Sequence, residues 1–477
     1  MTVEPLEGMD ALFVTMDSPN APLHMGIVLE LEAKKKSSRD PIERFGEIKK
    51  TIDQRLGGLA ILRRRVVRVP FDLGPPAYVD DPDFDLDAHV VRRALPAPGT
   101  ARELEATVAS IMAQPLDPDR PLWQISVIEG LENGHTALVA KIHHALADGV
   151  SGVAVFAQLF DLQAKASPAP RGGVFSDPPP IPNPIEMLAR SSSEFLRRPG
   201  AVLEVMGSSL TRLADRVDGI LGETSLSEPS LLAAPSTSLS GTVSYGRTFA
   251  RLCLSLPRVK EVAKDHHATV TDFALAITGG AVRRLLEERG EIIEKELIAV
   301  LPVNIRPPGT EKELGNKISV NFSGLASDID DPNERLRALG QRSREQKASG
   351  LTDADLLADL AYAAGPAMSS FATKVINAFE LFDLLPNVAN VVVSSVPGPP
   401  IPLWCSGERI VRASPIGPLM FNQGLNVTLL SYCDVLEFGV LGCAKRAPDI
   451  ERLRELFEDE ARELLGDQAI MKQASTA

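Results

Sequence analysis

Lys141-Ile142-His143-His144-Ala145-Leu146-Ala147-Asp148-Gly149-Val150-Ser151-Gly152 is the stretch on which the reading of this chain turns. Just upstream, Leu138, Ala140 and Ile142 alternate with Val139 and Lys141, the period-2 pattern of a strand. Downstream, Gly149 and Gly152 allow a sharp turn. Val153-Ala154-Val155-Phe156-Ala157-Gln158-Leu159-Phe160 then reads as a buried helix. If the strand runs through the histidine pair, its parity sends His143 and His144 to opposite faces. They then cannot both serve one site, and at most one is the reacting group. A neutral imidazole, with an unperturbed pKa of about 6.5, can take a proton from an alcohol as that alcohol attacks. The other histidine and Asp148 would hold the turn and fix the ring. A lone histidine is usually structural, but two adjacent ones closing an apolar strand ahead of an Asp-Gly turn favour chemistry.

Composition narrows the field. The chain has 477 residues, 44% hydrophobic and 24% charged, which is globular and long enough for two domains. A net charge of -13 argues against non-specific nucleic-acid binding and against attraction to an anionic membrane. Cys253, Cys405, Cys433 and Cys443 show neither C-x-x-C nor zinc spacing, so no metal is expected and a reduced, cytoplasmic setting is the simple reading. Met1-Thr2-Val3-Glu4-Pro5-Leu6-Glu7 is acidic without an apolar core, unlike a signal peptide. No run reaches the roughly 18 apolar residues of a membrane span. A lipid substrate would be met by a soluble or peripheral protein.

Near the N-terminus, a helical turn at Met9–Met16 leads to a strand from His24, which reads as a strand start and not as a catalyst. Residues 41–57 form an amphipathic helix. The basic run Leu62–Arg68 reads as a solvated edge or a set of ion pairs in preference to a phosphate site. Asp80–Asp87 lacks the Gly and Glu of a calcium loop and reads as a strand with one wet face. A helix at 101–113, a strand at 124–128 and a Glu132-Asn133-Gly134 turn precede the histidine strand. Residues 1–165 thus make a first domain. A Pro-, Gly- and Ser-rich linker with helical stretches near 184–197 and 200–221 covers 166–244, and a second domain covers 245–477. There the pattern gives a strand at 249–256, helices at 257–264 and 272–288, a strand at 297–301 ended or edged by Pro302, and a strand at 315–322. Helices at 331–346 and 353–380, a strand at 390–396, a hairpin through Asp434 and a helix at 448–465 follow. His266-His267 has no Asp-Gly at the right spacing and reads as a solvated turn.

H-H-x-x-x-D-G, here His143, His144, Asp148 and Gly149, resembles the active-site motif of the CoA-dependent acyltransferase superfamily. That group includes chloramphenicol acetyltransferase, plant acyltransferases and peptide-synthetase condensation domains. The seven residues alone do not choose among its members. Met9-Asp10-Ala11-Leu12-Phe13, Pro22-Leu23-His24-Met25-Gly26, Asp83-Phe84-Asp85-Leu86 and Pro121-Leu122-Trp123 are more specific. So are Val300–Arg306 with Gly315-Asn316, Ser394–Pro399, and Gly417-Pro418 with Gly424-Leu425-Asn426. Together they are similar to the bacterial wax ester synthase/diacylglycerol acyltransferase family, over nearly the whole chain.

The resemblance implies an α/β chain of two chloramphenicol-acetyltransferase-like domains, with mixed sheets flanked by helices and an interdomain tunnel. It implies acyl transfer from long-chain acyl-CoA to diacylglycerol, giving triacylglycerol. His144 is then the general base, His143 and Asp148 support and orient it, and Gly149 sits in the turn. Acyl-CoA is a co-substrate and no cofactor is implied. Where the family usually has Asn, this chain has Thr271 (before Asp272) and Ser395 (after Ser394), each offering a shorter donor to substrate; Thr271 or a backbone N–H is the candidate oxyanion donor. Competing readings are wax ester synthesis on a long-chain fatty alcohol, a condensation domain, and a non-catalytic lipid-binding protein of the same fold. The implied setting is cytoplasmic, with peripheral contact at a membrane or lipid-droplet surface.

Overall fold

The computed structural model describes residues 4–6, 8–33, 40–72, 74–165, 181, 183, 185–187, 234–304, 316, 318–349, 387–420, 422–466 and 470. The first half runs β1 (Glu4–Pro5), α1 (Gly8–Met16), β2 (His24–Leu31), α2 (Pro41–Leu56), β3 (Arg64–Val67), β4 (Ala77–Asp80), α3 (Leu86–His89), β5 (Val90–Ala94), α4 (Ala101–Ala113), β6 (Trp123–Glu129), β7 (Thr136–His143) and α5 (Gly149–Ala157). The second half runs β8 (Arg247–Ser255), α6 (Leu256–Asp265), α7 (Val270–Glu288), β9 (Ile298–Asn304), β10 (Ile318–Gly324), α8 (Pro332–Ser349), β11 (Val391–Val396), β12 (Trp404–Cys405), β13 (Glu408–Ile416), β14 (Leu425–Tyr432), β15 (Val435–Cys443) and α9 (Ile450–Leu465).

Strand β7 is buried along its whole length, and the apolar residues of its two faces serve different cores. Leu138, Ala140 and Ile142 pack with α2, α5 and Trp123. Ala137 and Val139 face α4, whose Val108, Ile111 and Met112 also meet Phe249 and Leu441 of the second half. Helix α4 is therefore the layer between the two sheets. Its start follows from sequence chemistry: Thr100 and Glu103 form a reciprocal capping box.

The first sheet has the order β12-β13-β2-β7-β6-β5 and the second β10-β9-β11-β14-β15-β8. Both are mixed: β5–β6 is a parallel pair in the first, and β11 runs parallel to both β9 and β14 in the second. The second sheet carries α6, α7 and α9 over one face, around Phe273, Phe438 and Phe457. Strands β12 and β13 cross from the span 245–477 into the first sheet, where β13 pairs with β2. A buried charge cluster fastens the same region. Arg251 of β8 donates to Glu30 of β2 at 2.6 Å and to Glu105 of α4 at 3.2 Å, while Arg412 of β13 donates to Glu437 of β15 at 2.8 Å. Removing one member would leave a buried charge unpaired, which is strongly destabilising.

Several local readings are sharpened or corrected. Asp80–Asp87 is not a continuous strand: β4 ends at Asp80, and Asp85 caps the short α3. Three arginines of the basic run are ion-paired, Arg64 with Glu4 and Asp80, Arg65 with Asp119 and Arg68 with Asp72, and Arg63 lies over the Phe84 ring at 4.9 Å. Pro302 does not end the strand: it lies inside β9, paired with Val320 of β10 and beyond the last residue paired with β11, and the strand runs on to Asn304. The helical stretches at 353–380 and 200–221, and most of 184–197, lie outside the described residues. No helix among the described residues is long and apolar enough to cross a membrane.

Candidate active site

The histidine pair sits where β7 leaves its sheet. His143 is the last strand residue, opposite His24 of β2, and its N–H donates to the Leu122 carbonyl at 2.9 Å. The His144 N–H donates to the Leu23 carbonyl at 2.8 Å. The chain then turns through the buried Ala145-Leu146-Ala147, held by Tyr78, whose hydroxyl donates to the Ala145 carbonyl at 2.6 Å.

The two rings diverge as strand parity requires. His143 is buried, and its Nδ1 accepts from the Ala145 N–H at 3.1 Å. The proton is therefore on Nε2, which faces Asp17 Oδ1 at 3.6 Å. His24 is also buried, its Nε2 lying 2.9 Å from the Met112 carbonyl, and burial holds its pKa well below the ordinary value. Neither ring lines the cavity described below.

His144 does line it. Its ring lies 4.3 Å from that of Phe13, tilted by 32°. Its Nδ1 is 3.1 Å from Oδ1 of Asn316, a residue for which sequence reasoning had assigned no role at the site. The Asn316 amide has only one consistent orientation. Its Nδ2 donates to Asp10 Oδ1 and, at 2.6 Å, to the His144 carbonyl, while its backbone N–H also donates to Asp10 at 2.9 Å. The amide oxygen must then be the acceptor toward His144, so Nδ1 carries the proton and Nε2 keeps its lone pair. Burial pushes the His144 pKa down to about 4, against an opposing contribution from the Asn316 bond, so the ring is neutral near pH 7.

Asp148 is the N-cap of α5. Its carboxylate accepts from the Ser151 N–H and from the Ser151 hydroxyl, both at 2.7 Å. Gly149 begins that helix, and neither it nor Gly152 has a left-handed φ. Space, not backbone freedom, calls for glycine here. A Cβ on Gly149 would stand 3.0 Å from Val396 Cγ2, and one on Gly152 would stand 2.5 Å from Met25 Cε.

Beside His144 lies a cavity of about 1020 Å³, counting its open mouth. Its walls come from both sheets. Met25, Ile142, Val153 and Phe156 belong to the first side, and Val392, Val396 and Leu430 to the second. The lining is mostly apolar, and its polar members besides His144 and Asp148 are Ser394, Ser395, Asn426 and Thr428. Thr428 donates to Asn426 at 2.7 Å, and Asn426 to the Pro418 carbonyl at 2.8 Å, so these two are engaged with the scaffold. Ser394 and Ser395 of β11 both line it; Ser394 shares its face of the strand with Val392 and Val396, and Ser395 is exposed. Thr271 does not line it: it is the second residue of α7, whose cap is made by Thr269 and Asp272. Of the two expected substrate donors, Ser395 is at this cavity, beside Ser394, and Thr271 is not among its lining residues.

The arrangement is a neutral, oriented imidazole opening into an apolar channel between two sheets. Comparison with known proteins identifies the family. Residues 6–274 match the wax ester synthase/diacylglycerol acyltransferase catalytic domain, and residues 314–465 match the C-terminal domain of the same family. Rv1760 of Mycobacterium tuberculosis, named as a candidate diacylglycerol O-acyltransferase, is 30% identical over 474 residues, covering 97% of this chain and 90% of that protein. Rv3087 of the same organism, named likewise, is 32% identical over 465 residues, covering 96% of each. Among solved structures, the wax ester synthase/diacylglycerol acyltransferase from Marinobacter aquaeolei VT8 superposes with a TM-score of 0.68 at 24% identity, over 97% of this chain and 98% of that one. The first condensation domain of the calcium-dependent antibiotic synthetase gives 0.56 at 15% identity, over 100% and 99%, and shares the fold. With both of its domain signatures matched in order, this chain belongs to the wax ester synthase/diacylglycerol acyltransferase family.

Proposed function

We propose that the chain moves a long-chain acyl group from acyl-CoA to the hydroxyl of diacylglycerol, with His144 as the general base. The observation that carries this is the fixed tautomer of His144, with Nε2 as the acceptor atom at an apolar cavity. The hydroxyl proton passes to Nε2 as the oxygen attacks the thioester carbonyl. Collapse of the tetrahedral intermediate breaks the C–S bond, and the proton on Nε2 goes to the departing thiolate. One base serves both half-steps, so the reaction balances without a covalent acyl-enzyme or a cofactor. The low pKa of His144 keeps it unprotonated at rest, and charge on the imidazolium is transient. Ser394 and Ser395, both at the cavity, are the side-chain donors proposed for the oxyanion.

Asn316 and Asp10 act through His144 by holding its ring, and Asp148 acts through the cap that sets the turn. His143 stays behind the site, bonded to the turn. Such apolar substrates and product place the working enzyme against a membrane or lipid-droplet surface as a peripheral protein.

Thiol release from palmitoyl-CoA by purified protein, with diacylglycerol or hexadecanol as acceptor, tests the assignment beside His144→Ala. Acceptor-dependent release that disappears in the variant is expected, with the larger rate on diacylglycerol. A larger rate on hexadecanol would identify a wax ester synthase. Release that survives His144→Ala would remove His144 as the base. Absence of release from folded protein that binds acyl-CoA would identify a lipid-binding member of the fold.

A further inference from the structure

The turn after β3 carries an aromatic ring at a position that suits glycine. Val69, Pro70, Phe71 and Asp72 form a four-residue turn closed by the Asp72 N–H, which donates to the Val69 carbonyl at 2.9 Å. Proline is usual at the second position of such a turn, and a positive φ at the third calls for Gly or Asn. Phe71 fills that third position with φ 58° and ψ 17°. A bulky side chain at a positive φ is an outlier whose strain must be outweighed elsewhere. Packing within the chain does not outweigh it, because Phe71 is 86% exposed. Asp72, at φ 54°, continues the left-handed path and accepts from Arg68 at 3.0 Å, which fixes the turn.

A second apolar side chain stands on the same small cluster. Val69, two residues before Phe71, is buried together with Ala77 and Met187. Met187 brings with it Ile185, which is 78% exposed. The charges nearby are paired, Arg68 with Asp72 and Arg64 with Glu4 and Asp80. This surface is also fastened to the active site. Arg68 donates to the Val14 carbonyl at 3.3 Å, next to Phe13, whose ring lies on His144. Tyr78 of β4 holds the turn beyond the histidines through the Ala145 carbonyl.

We propose that Phe71 and Ile185 dock the protein on a zwitterionic lipid surface, with the Phe71 ring entering the acyl layer. The occupant rests on the acyl-transfer reading, in which acceptor and product are both lipids. The shape of the patch suits it. A ring at the tip of a fixed turn fits a fluid layer that closes around it, whereas a protein partner would need a matching pocket. The paired charges and the net charge of -13 favour a zwitterionic surface over an anionic one. Within the layer the ring gains the apolar burial that the fold denies it.

Co-sedimentation of the full-length protein with phosphatidylcholine vesicles containing dioleoylglycerol tests the proposal. Partition is expected that does not weaken with salt and does not strengthen when phosphatidylserine replaces part of the phosphatidylcholine. Phe71→Gly should lower the partition coefficient about tenfold or more, the worth of burying one such side chain, and Ile185→Ser roughly fivefold. Phe71→Gly also suits the turn, so its melting temperature should equal or exceed that of the parent. Ile292→Ser removes an equally exposed side chain, 91% exposed on the loop after α7, and should change nothing. Phe71→Trp should bind like the parent, with emission that shifts to shorter wavelength on the vesicles. His144→Ala should bind like the parent whether or not it releases thiol, which separates docking from the assignment of the base. No partition of the parent, parental partition of a folded Phe71→Gly, or equal loss in Ile292→Ser would each overturn the proposal. So would salt-sensitive preference for phosphatidylserine, or self-association without lipid that Phe71→Gly abolishes, which would assign the patch to a second copy of the chain.

Discussion

Truncating Asn316 to alanine isolates the orientation of the base from its identity. The substitution removes the acceptor on His144 Nδ1 and two bonds made by the amide nitrogen, to Asp10 and to the His144 carbonyl. The imidazole then loses the partner that distinguishes its two neutral tautomers, although contact with Phe13 at 4.3 Å still confines the ring plane. Losing one net hydrogen bond of about 1–2 kcal/mol in the orientation of the base corresponds to roughly a fivefold to thirtyfold fall in kcat. That is well short of the roughly 100- to 10000-fold expected when a general base is deleted, as in His144→Ala. Because Asn316 does not line the cavity, KM for acyl-CoA should stay near the parent value. Initial rates of thiol release across palmitoyl-CoA concentrations, on protein whose fold is verified by its near-UV spectrum, give both constants. A folded Asn316→Ala with parental kcat would refute the tautomer argument. So would a variant whose whole loss appears in KM.

Three other outcomes follow from the site. Asp148→Ala should cost about 1–2 kcal/mol in urea unfolding because the cap of α5 is lost, whereas Asp148→Asn, an equally good cap, should stay within about 0.5 kcal/mol; equal losses would show that the negative charge, not the cap, matters. Gly152→Ala places a Cβ 2.5 Å from the flexible end of Met25, which must move into the cavity. The ratio of kcat/KM for palmitoyl-CoA to that for decanoyl-CoA should then fall roughly tenfold, and an unchanged ratio would place the acyl chain elsewhere. The third concerns pH: His144 titrates near about 4 in the fold, so kcat/KM should hold level from neutral pH to about 5 and fall below that. The unfolded chain, whose histidine titrates near about 6.5, takes up this proton first, so stability drops as pH falls from about 6.5 to 4. An acid limb at about 6.5 would show that the ring is not desolvated.

Local chemistry was legible wherever neighbours in sequence decide the outcome. The apolar alternation before His143, the parity that separates it from His144, and the hairpin through Asp434 all depend on residues a few positions apart, and β7 and the β14–β15 pair bear them out. Asp80–Asp87 misled because alternating Asp and apolar residues also suit a turn whose carboxylates cap a helix, as Asp85 does. The reach of Asn316 to His144 crosses 172 positions, and nothing in its own neighbourhood marks that amide as a partner for the ring. The family pattern suggested Thr271, but a family position does not fix which way a helix faces. Ser395 reaches the cavity because β11 runs beside it, a matter of sheet order. The transfer of β13 into the first sheet was equally hidden, since its own pattern would suit either sheet.

That transferred strand governs how the enzyme can be loaded. From Ile410 to Ile416, β13 pairs with β2, and Pro415 and Ile416 are at once rungs of this ladder and walls of the cavity. The two halves cannot swing apart like a clamshell without tearing that ladder. If the cavity holds the acyl chain as proposed, long chains enter and leave endwise, and each added methylene lengthens the path of exit as well as the hold on the substrate. Turnover would then be paced by reptation of a greasy tail, slowing smoothly with chain length and speeding up wherever a lipid phase at the mouth takes the tail as it emerges.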